Sequence, residues 1–243
     1  MNALNTTRPF AVLWDYDGTL VDTEGLWIDI EIEMMAEYGV AWTREQGHAL
    51  VGANERMASL AMLSCLDDPR ITPDELSQAR ADRVAERVSS LPLPWKPGAE
   101  ELLDALYEAG IPCAMYSASP AKVLAAGLSR MKPNRFAVVV DGEMVTRGKP
   151  APDGYLLAAG RLGYAVRDCL IVEDSINGTA AARTSGAVVL AVPDQMPLDE
   201  YPGQVQVPTL AGLSVADIRR FFAAGAATRS TLTNVPINSS AAR

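Results

Sequence analysis

Apolar positions along the chain fall into two kinds of run. Short unbroken stretches of strand length occur at Phe10 to Trp14, in "IPCAMYS" (111–117), in "FAVVV" (136–140), in "CLIV" (169–172) and in "AVVLAV" (187–192). Around them, apolar residues recur every three or four positions and predict helices over Ala99 to Ala109, Ala121 to Met131, Asp153 to Leu162 and Ile176 to Thr184. Strands alternating with helices predict an α/β fold, a doubly wound, Rossmann-like parallel sheet covered on both faces. In such sheets ligands bind where strands end, near the point at which the strand order reverses.

One segment breaks the alternation. From Glu24 to Tyr38, Ile28, Ile32 and Met35 recur at helical spacing, with Trp27, Met34 and Tyr38 beside them. A short helix is expected in "TREQGHALV" and another from Asn54 or Glu55 to Leu66. Thr72 reads as an N-cap, with Pro73 at the first helical position and Glu75 three residues on, opening a polar helix to about Ser89. No comparable strand signal occurs here, so residues 21–91 are read as an all-helical insert. Residues 1–20 and 92–223 then form one discontinuous core, rejoined through the proline-rich "LPLPWKPG". The stretch 224–243, small and polar, is expected to be a disordered tail.

Charge sharpens the division. The net charge is −9, and residues 21–91 hold fourteen acidic residues against six arginines and no lysine. So acidic a chain is a poor partner for nucleic acid or an anionic membrane, since phosphate backbones are bound by basic patches. No stretch has the length and apolarity of a membrane span, and the opening "MNALNTTRPF" lacks a secretory pattern; a soluble, cytoplasmic protein is expected. Cys65, Cys113 and Cys169 are odd in number, widely spaced and set in apolar contexts, which predicts reduced thiols inside the core. Oligomeric state leaves no mark in the sequence.

Chemistry gathers at four predicted strand ends. Asp15 and Asp17 follow the first, in "VLWDYDGTLVDTE"; positions two apart on a strand share a face, so two carboxylates face one space. Like charges that close repel, so either a cation lies between them, or one keeps a proton, or both. Ser117 and Ser119 follow the second strand in "YSASP", Lys149 lies in "TRGKPAPDGY", and Glu173 and Asp174 end "LIVED". This inventory suits phosphate handled with Mg²⁺, which takes oxygen ligands and keeps several waters. Asp15 and Asp174 are placed to hold the ion from different strands, Lys149 to balance charge, and Ser117 to donate to a phosphoryl oxygen. Ser119, just before Pro120, is read as a helix cap, and His48, the only histidine, as a surface residue of the insert.

"DYDGTLVDTE", "YSAS", "GKPAPD" and "VEDSINGTAAARTSGA", in that order and with a helical insert after the first, resemble the haloacid dehalogenase superfamily in its phosphatase and β-phosphoglucomutase-like branch. The likeness extends over about residues 10 to 195. It implies that Asp15 is the nucleophile that becomes an aspartyl phosphate and that Asp17 is the general acid and base. It further implies phosphate binding by Ser117 and Lys149, and a Mg²⁺ site drawn from Asp15, Asp17, Asp174 and Glu173, the last through water. The insert corresponds to the small cap that closes over such sites. Two adjacent carboxylates are then useful, one attacking phosphorus while the other protonates the leaving oxygen.

Departures from relatives bear on the reaction. Dehalogenases of the superfamily lack the second aspartate, and phosphonate-cleaving members use a cap lysine that this insert does not have. Mutases carry a histidine where this chain has Trp27, and an arginine three residues after a cap glycine, where Gly52 is followed by Ala53, Asn54 and Glu55. The expected activity is hydrolysis of phosphate monoesters of small metabolites such as sugar, polyol or nucleotide phosphates. A mutase and a phosphometabolite-binding protein without turnover are the alternatives. Trp27, Asn54, Glu55 and Arg56 are the cap residues expected to select the substrate.

Overall fold

The computed structural model describes residues 10–50, 55–66, 68–131, 133–194 and 196–233. Six parallel strands form one sheet in the order β3-β2-β1-β4-β5-β6. They are β1 (Ala11–Trp14), β2 (Cys113–Tyr116), β3 (Val138–Val140), β4 (Cys169–Glu173), β5 (Val188–Ala191) and β6 (Gln204–Gln206). The first five are the strands the apolar runs predict. β6 escapes that reading because it is a three-residue edge strand with a glutamine on either side of Val205.

Strand alternation sorts the core into two layers. Val12, Trp14, Met115, Leu170 and Leu190 point to one face, where they pack with Leu102, Leu103 and Leu106 of α5 (Ala99–Glu108). Leu13, Tyr116, Ile171 and Val189 point to the other, onto α7 (Asp153–Leu162) and α8 (Ile176–Ser185). The order reverses at β1, which pairs with β2 on one side and β4 on the other. That is the crevice in which doubly wound sheets bind ligands.

Between β1 and α5 lie α1 (Glu24–Glu37), α2 (Arg44–His48), α3 (Glu55–Leu63) and α4 (Pro73–Ser90). α4 opens with the expected capping box: the Thr72 hydroxyl accepts from the Glu75 amide, and the Glu75 side chain accepts from the Thr72 amide. α1, α3 and α4 share a cluster built on Met34, Met35, Met62, Leu76 and Val84, which Val123 of α6 (Ala121–Arg130) joins from the core. On α1 the buried face differs from expectation. Glu31 is buried and Ile32 only half so, while Tyr38 is exposed.

Two further expectations are corrected. Residues 224–233 are not irregular but continue α9 (Val215–Thr233); 234–243 lie outside the described residues. Gly225 explains the error: a Cβ there would lie 2.5 Å from Val188 Cγ1. Small residues that read as a polar tail are thus what allow the helix to approach the sheet, with Phe222 stacked on Phe10 at 4.9 Å. Cys113 and Cys169 are buried free thiols, both pushed up to about 12 by burial, but Cys65 is exposed. Among the described residues no helix is long and apolar enough to cross a membrane.

Candidate active site

The crevice at the carboxyl ends of β1, β2 and β4 opens under α1, α2 and α4, and one cleft runs between them. Its floor comes from the sheet. Asp15 leaves β1 with its amide still bonded to the Val172 carbonyl at 3.1 Å, so the ladder aims the carboxylate into the crevice. Gly18 then turns the chain with φ +85°, and a Cβ at that position would lie 2.4 Å from the Asp174 carboxylate. Only glycine allows the β1 and β4 ends to approach this closely.

Asp15 is buried and accepts from the Lys149 ammonium, which also donates to Glu173 Oε1 at 2.5 Å. Glu173 is fully buried and saturated with donors. Tyr155 donates to it at 2.7 Å, and the Asp174 amide, the Ser175 amide and the Ser175 hydroxyl donate at 3.0, 3.2 and 3.2 Å. The Lys149 ammonium also lies 5.3 and 5.5 Å from the rings of Tyr116 and Tyr155. Burial alone would lower Lys149, but the two carboxylates outweigh it and hold the ammonium above its ordinary range.

Asp17 has a different setting. Its carboxylate accepts from the hydroxyls of Thr23 at 2.5 Å, Ser119 at 2.7 Å and Ser117 at 2.9 Å. Ser119 is therefore not the helix cap expected of it: Pro120 occupies the N-cap of α6, and the serine hydroxyl goes to Asp17. Ser117 accepts from the Ser119 amide at 2.9 Å, so its one proton is committed to Asp17. A hydroxyl both donates and accepts, so this cage can serve Asp17 with or without a proton.

The two aspartates were expected to strain each other by repulsion. Burial is instead the main force raising Asp15 above the usual carboxylate range, opposed by Lys149, and Asp17 is the weakest of the carboxylates acting on it. Asp174 is raised to about 7, first by burial and then by Glu173, against the Thr19 hydroxyl that donates to it at 2.7 Å. Asp15, Glu173 and Asp174 each offer an oxygen within 4.8 Å of the others. An all-carboxylate set suits a hard divalent cation, and neutralising the charge there relieves the burial cost of Asp15 and Asp174. With Glu173 saturated, Asp15 and Asp174 are the members with capacity to spare. Asp17 lies outside this group, turned to its hydroxyls.

The cap half of the cleft is lined by Glu24, Trp27, Glu31, Gly47, Leu50 and Arg80. Of the residues expected to select substrate, Trp27 is there. Arg56 is exposed and lies 3.6 Å from Asp74, away from the cleft lining. Asn54 is outside the described residues, and of Glu55 only its place at the start of α3 is described. Glu31 and Arg80 were missed, although a signal existed: Arg80 occupies the apolar register of α4 between Leu76 and Val84. His48 is at the surface, as expected, 3.0 Å from Glu24.

A family model for haloacid dehalogenase-like hydrolases matches residues 12–192. The chain belongs to that family. Among relatives within this haloacid dehalogenase-like group, a phosphorylated carbohydrates phosphatase of Thermotoga maritima is 30% identical over 72% of this chain and 81% of its own. A bifunctional riboflavin kinase/FMN phosphatase of Arabidopsis thaliana is 32% identical over 75% of this chain, which spans 48% of that longer protein. The solved structure of CbbY from Rhodobacter sphaeroides in complex with phosphate superposes with a TM-score of 0.78 at 25% identity, covering 87% of this chain and all of the other.

Proposed function

We propose that this chain is a phosphoric monoester hydrolase of small phosphorylated metabolites that works through a phosphorylated Asp15, with Mg²⁺ held by Asp15 and Asp174. The observation that carries the reading is the contrast between its two aspartates. Asp15 lies against the Lys149 ammonium, while Asp17, two residues on, is held by three hydroxyls that accommodate a proton. One is thereby suited to attack and the other to move a proton. The phosphatase relatives support the same class of reaction.

The steps follow from the residues. A carboxylate oxygen of Asp15 bonds to phosphorus as the bond from phosphorus to the leaving oxygen breaks, and Asp17 gives that oxygen its proton. Asp17, now ionised, takes a proton from water as the water oxygen bonds to phosphorus. The bond from Asp15 to phosphorus breaks, inorganic phosphate leaves, and both groups are restored. Lys149 has three donors, two used by Asp15 and Glu173, and offers the third to a phosphoryl oxygen. Ser117 joins it by turning its hydroxyl from Asp17. Mg²⁺, when bound, neutralises charge on the transferring group and keeps Asp15 ionised.

Hydrolysis is favoured over mutase action because Arg56, which stands one place off the mutase pattern, faces Asp74 outside the cleft. Three free cysteines fit a reducing, cytoplasmic setting. The test is inorganic phosphate release from a panel of phosphorylated metabolites with and without Mg²⁺, alongside Asp15→Asn. Release that needs the metal and falls by about 10⁴-fold or more in the variant is expected for loss of a nucleophile. Isomerisation of a hexose 1-phosphate without release would overturn the hydrolase in favour of the mutase.

A further inference from the structure

The cap half of the cleft contains a buried ion pair that the proposed chemistry does not use. Arg80, on α4, donates through Nη1 to Glu31 Oε1 of α1 at 3.1 Å, and both side chains are about 95% buried. The Trp42 indole donates to the other Glu31 oxygen at 3.3 Å. The Arg80 guanidinium lies 4.8 Å from the centre of the Trp27 ring, covering one face of it. Glu31, Arg80 and Trp27 all line the cleft. Taking two charges out of water is expensive even when they pair, so the arrangement needs a reason beyond packing.

Charge along the cleft supplies one. Among the described lining residues, the cap contributes Glu24 and Glu31 against the single cation Arg80, and Arg80 is already compensated. The undescribed stretch 51–54 is Val-Gly-Ala-Asn and brings no charge, and Arg56 faces Asp74 outside the cleft. The second cation of the lining, Lys149, is held on the floor by Asp15 and Glu173. Resting on the phosphatase reading, we infer that the cap selects a neutral, hydroxyl-rich leaving group, as in a monophosphate of a sugar or polyol, and rejects a second phosphate or a carboxylate. Hydroxyls can donate to Glu24 and Glu31 and accept from Arg80. A second anionic group would enter a region whose described lining carries net negative charge and whose two cations are already held by carboxylates, and repulsion of this kind gives specificity. A flat base is disfavoured because the guanidinium takes one face of Trp27.

The experiment measures kcat/KM for phosphate release from matched pairs: fructose 6-phosphate against fructose 1,6-bisphosphate, and ribulose 5-phosphate against ribulose 1,5-bisphosphate. Adenosine monophosphate, 6-phosphogluconate and p-nitrophenyl phosphate complete the set. The neutral monophosphates are expected to be preferred by about tenfold or more over their charged counterparts. Glu31→Gln frees the Arg80 charge and should move the preference toward the bisphosphates by about tenfold, whereas Arg80→Gln should move it the other way. Both substrates of a pair are read on one preparation, so partial unfolding does not alter the ratio. If neither variant folds, the wild-type ratios still decide.

A bisphosphate, acid or nucleotide preferred by the wild type would overturn the inference. So would hydrolysis of p-nitrophenyl phosphate with none of the neutral monophosphates, or ratios that both variants leave in place or shift in the same direction. No release from any substrate, p-nitrophenyl phosphate included, would instead sink the phosphatase reading on which the inference rests.

Discussion

The two halves of the cleft use charge in opposite ways. On the sheet side, Asp15, Lys149, Glu173 and Asp174 are crowded at strand ends, and the carboxylates Asp15 and Asp174 are raised by burial. That arrangement is poised for a cation and a phosphoryl group. On the cap side, among the described residues, the one arginine of the lining is neutralised by Glu31 inside the cap itself. The difference teaches that reaction and recognition are separable here. On the proposed function the floor acts on the phosphoryl group and the roof reads what is attached to it.

The comparison can be broken most sharply on the floor. Asp17→Asn removes the proposed proton donor while keeping the shape, and turnover should fall by about 10²- to 10⁴-fold with every substrate alike. Phosphate binding, followed by calorimetry, should survive. A loss confined to one substrate would show that Asp17 belongs to recognition instead. Next in size is a stability effect. Lys149→Ala leaves Asp15 and Glu173 buried without their shared cation, which should cost about 3–5 kcal/mol in urea unfolding. Little change there would mean that the two carboxylates are not held apart from water as the geometry describes.

The smallest effect belongs to the roof. Trp27→Ala should raise KM by about tenfold for a sugar phosphate, the loss of one well-packed contact, while kcat/KM for p-nitrophenyl phosphate, which has no hydroxyls to be read, moves less. Equal losses on both would collapse the distinction between the halves.

Legibility followed the same line. Most of the floor could be read from the sequence because Asp15, Asp17, Ser117, Glu173 and Asp174 sit at or just beyond a strand end, and a parallel strand pattern already says that such ends converge; Lys149 lies nine residues past the end of β3. Asp15, Lys149 and Asp174 are brought together as that logic requires. Ser119 was misread because its local signal, a serine before a proline and a helix, is that of a cap, while its actual partner Asp17 is 102 residues away. The Glu31–Arg80 pair escaped for the same reason, its members standing 49 residues apart on two helices.

By itself, then, the sequence determined the order of the first five strands and of the helices between them, the helical insert after β1, and the carboxylates and lysine that meet at the crevice, since these are local patterns of burial and turn. Tertiary structure decided the rest. It turned residues 224–233 from an expected tail into part of a helix, through the contact that Gly225 permits with Val188. It also chose hydroxyls as the partners of Asp17 and placed an arginine compensated by Glu31 in the cap half of the cleft. Charge in a folded protein is settled by which groups share a low-dielectric space, and the spacing along the chain does not carry that information.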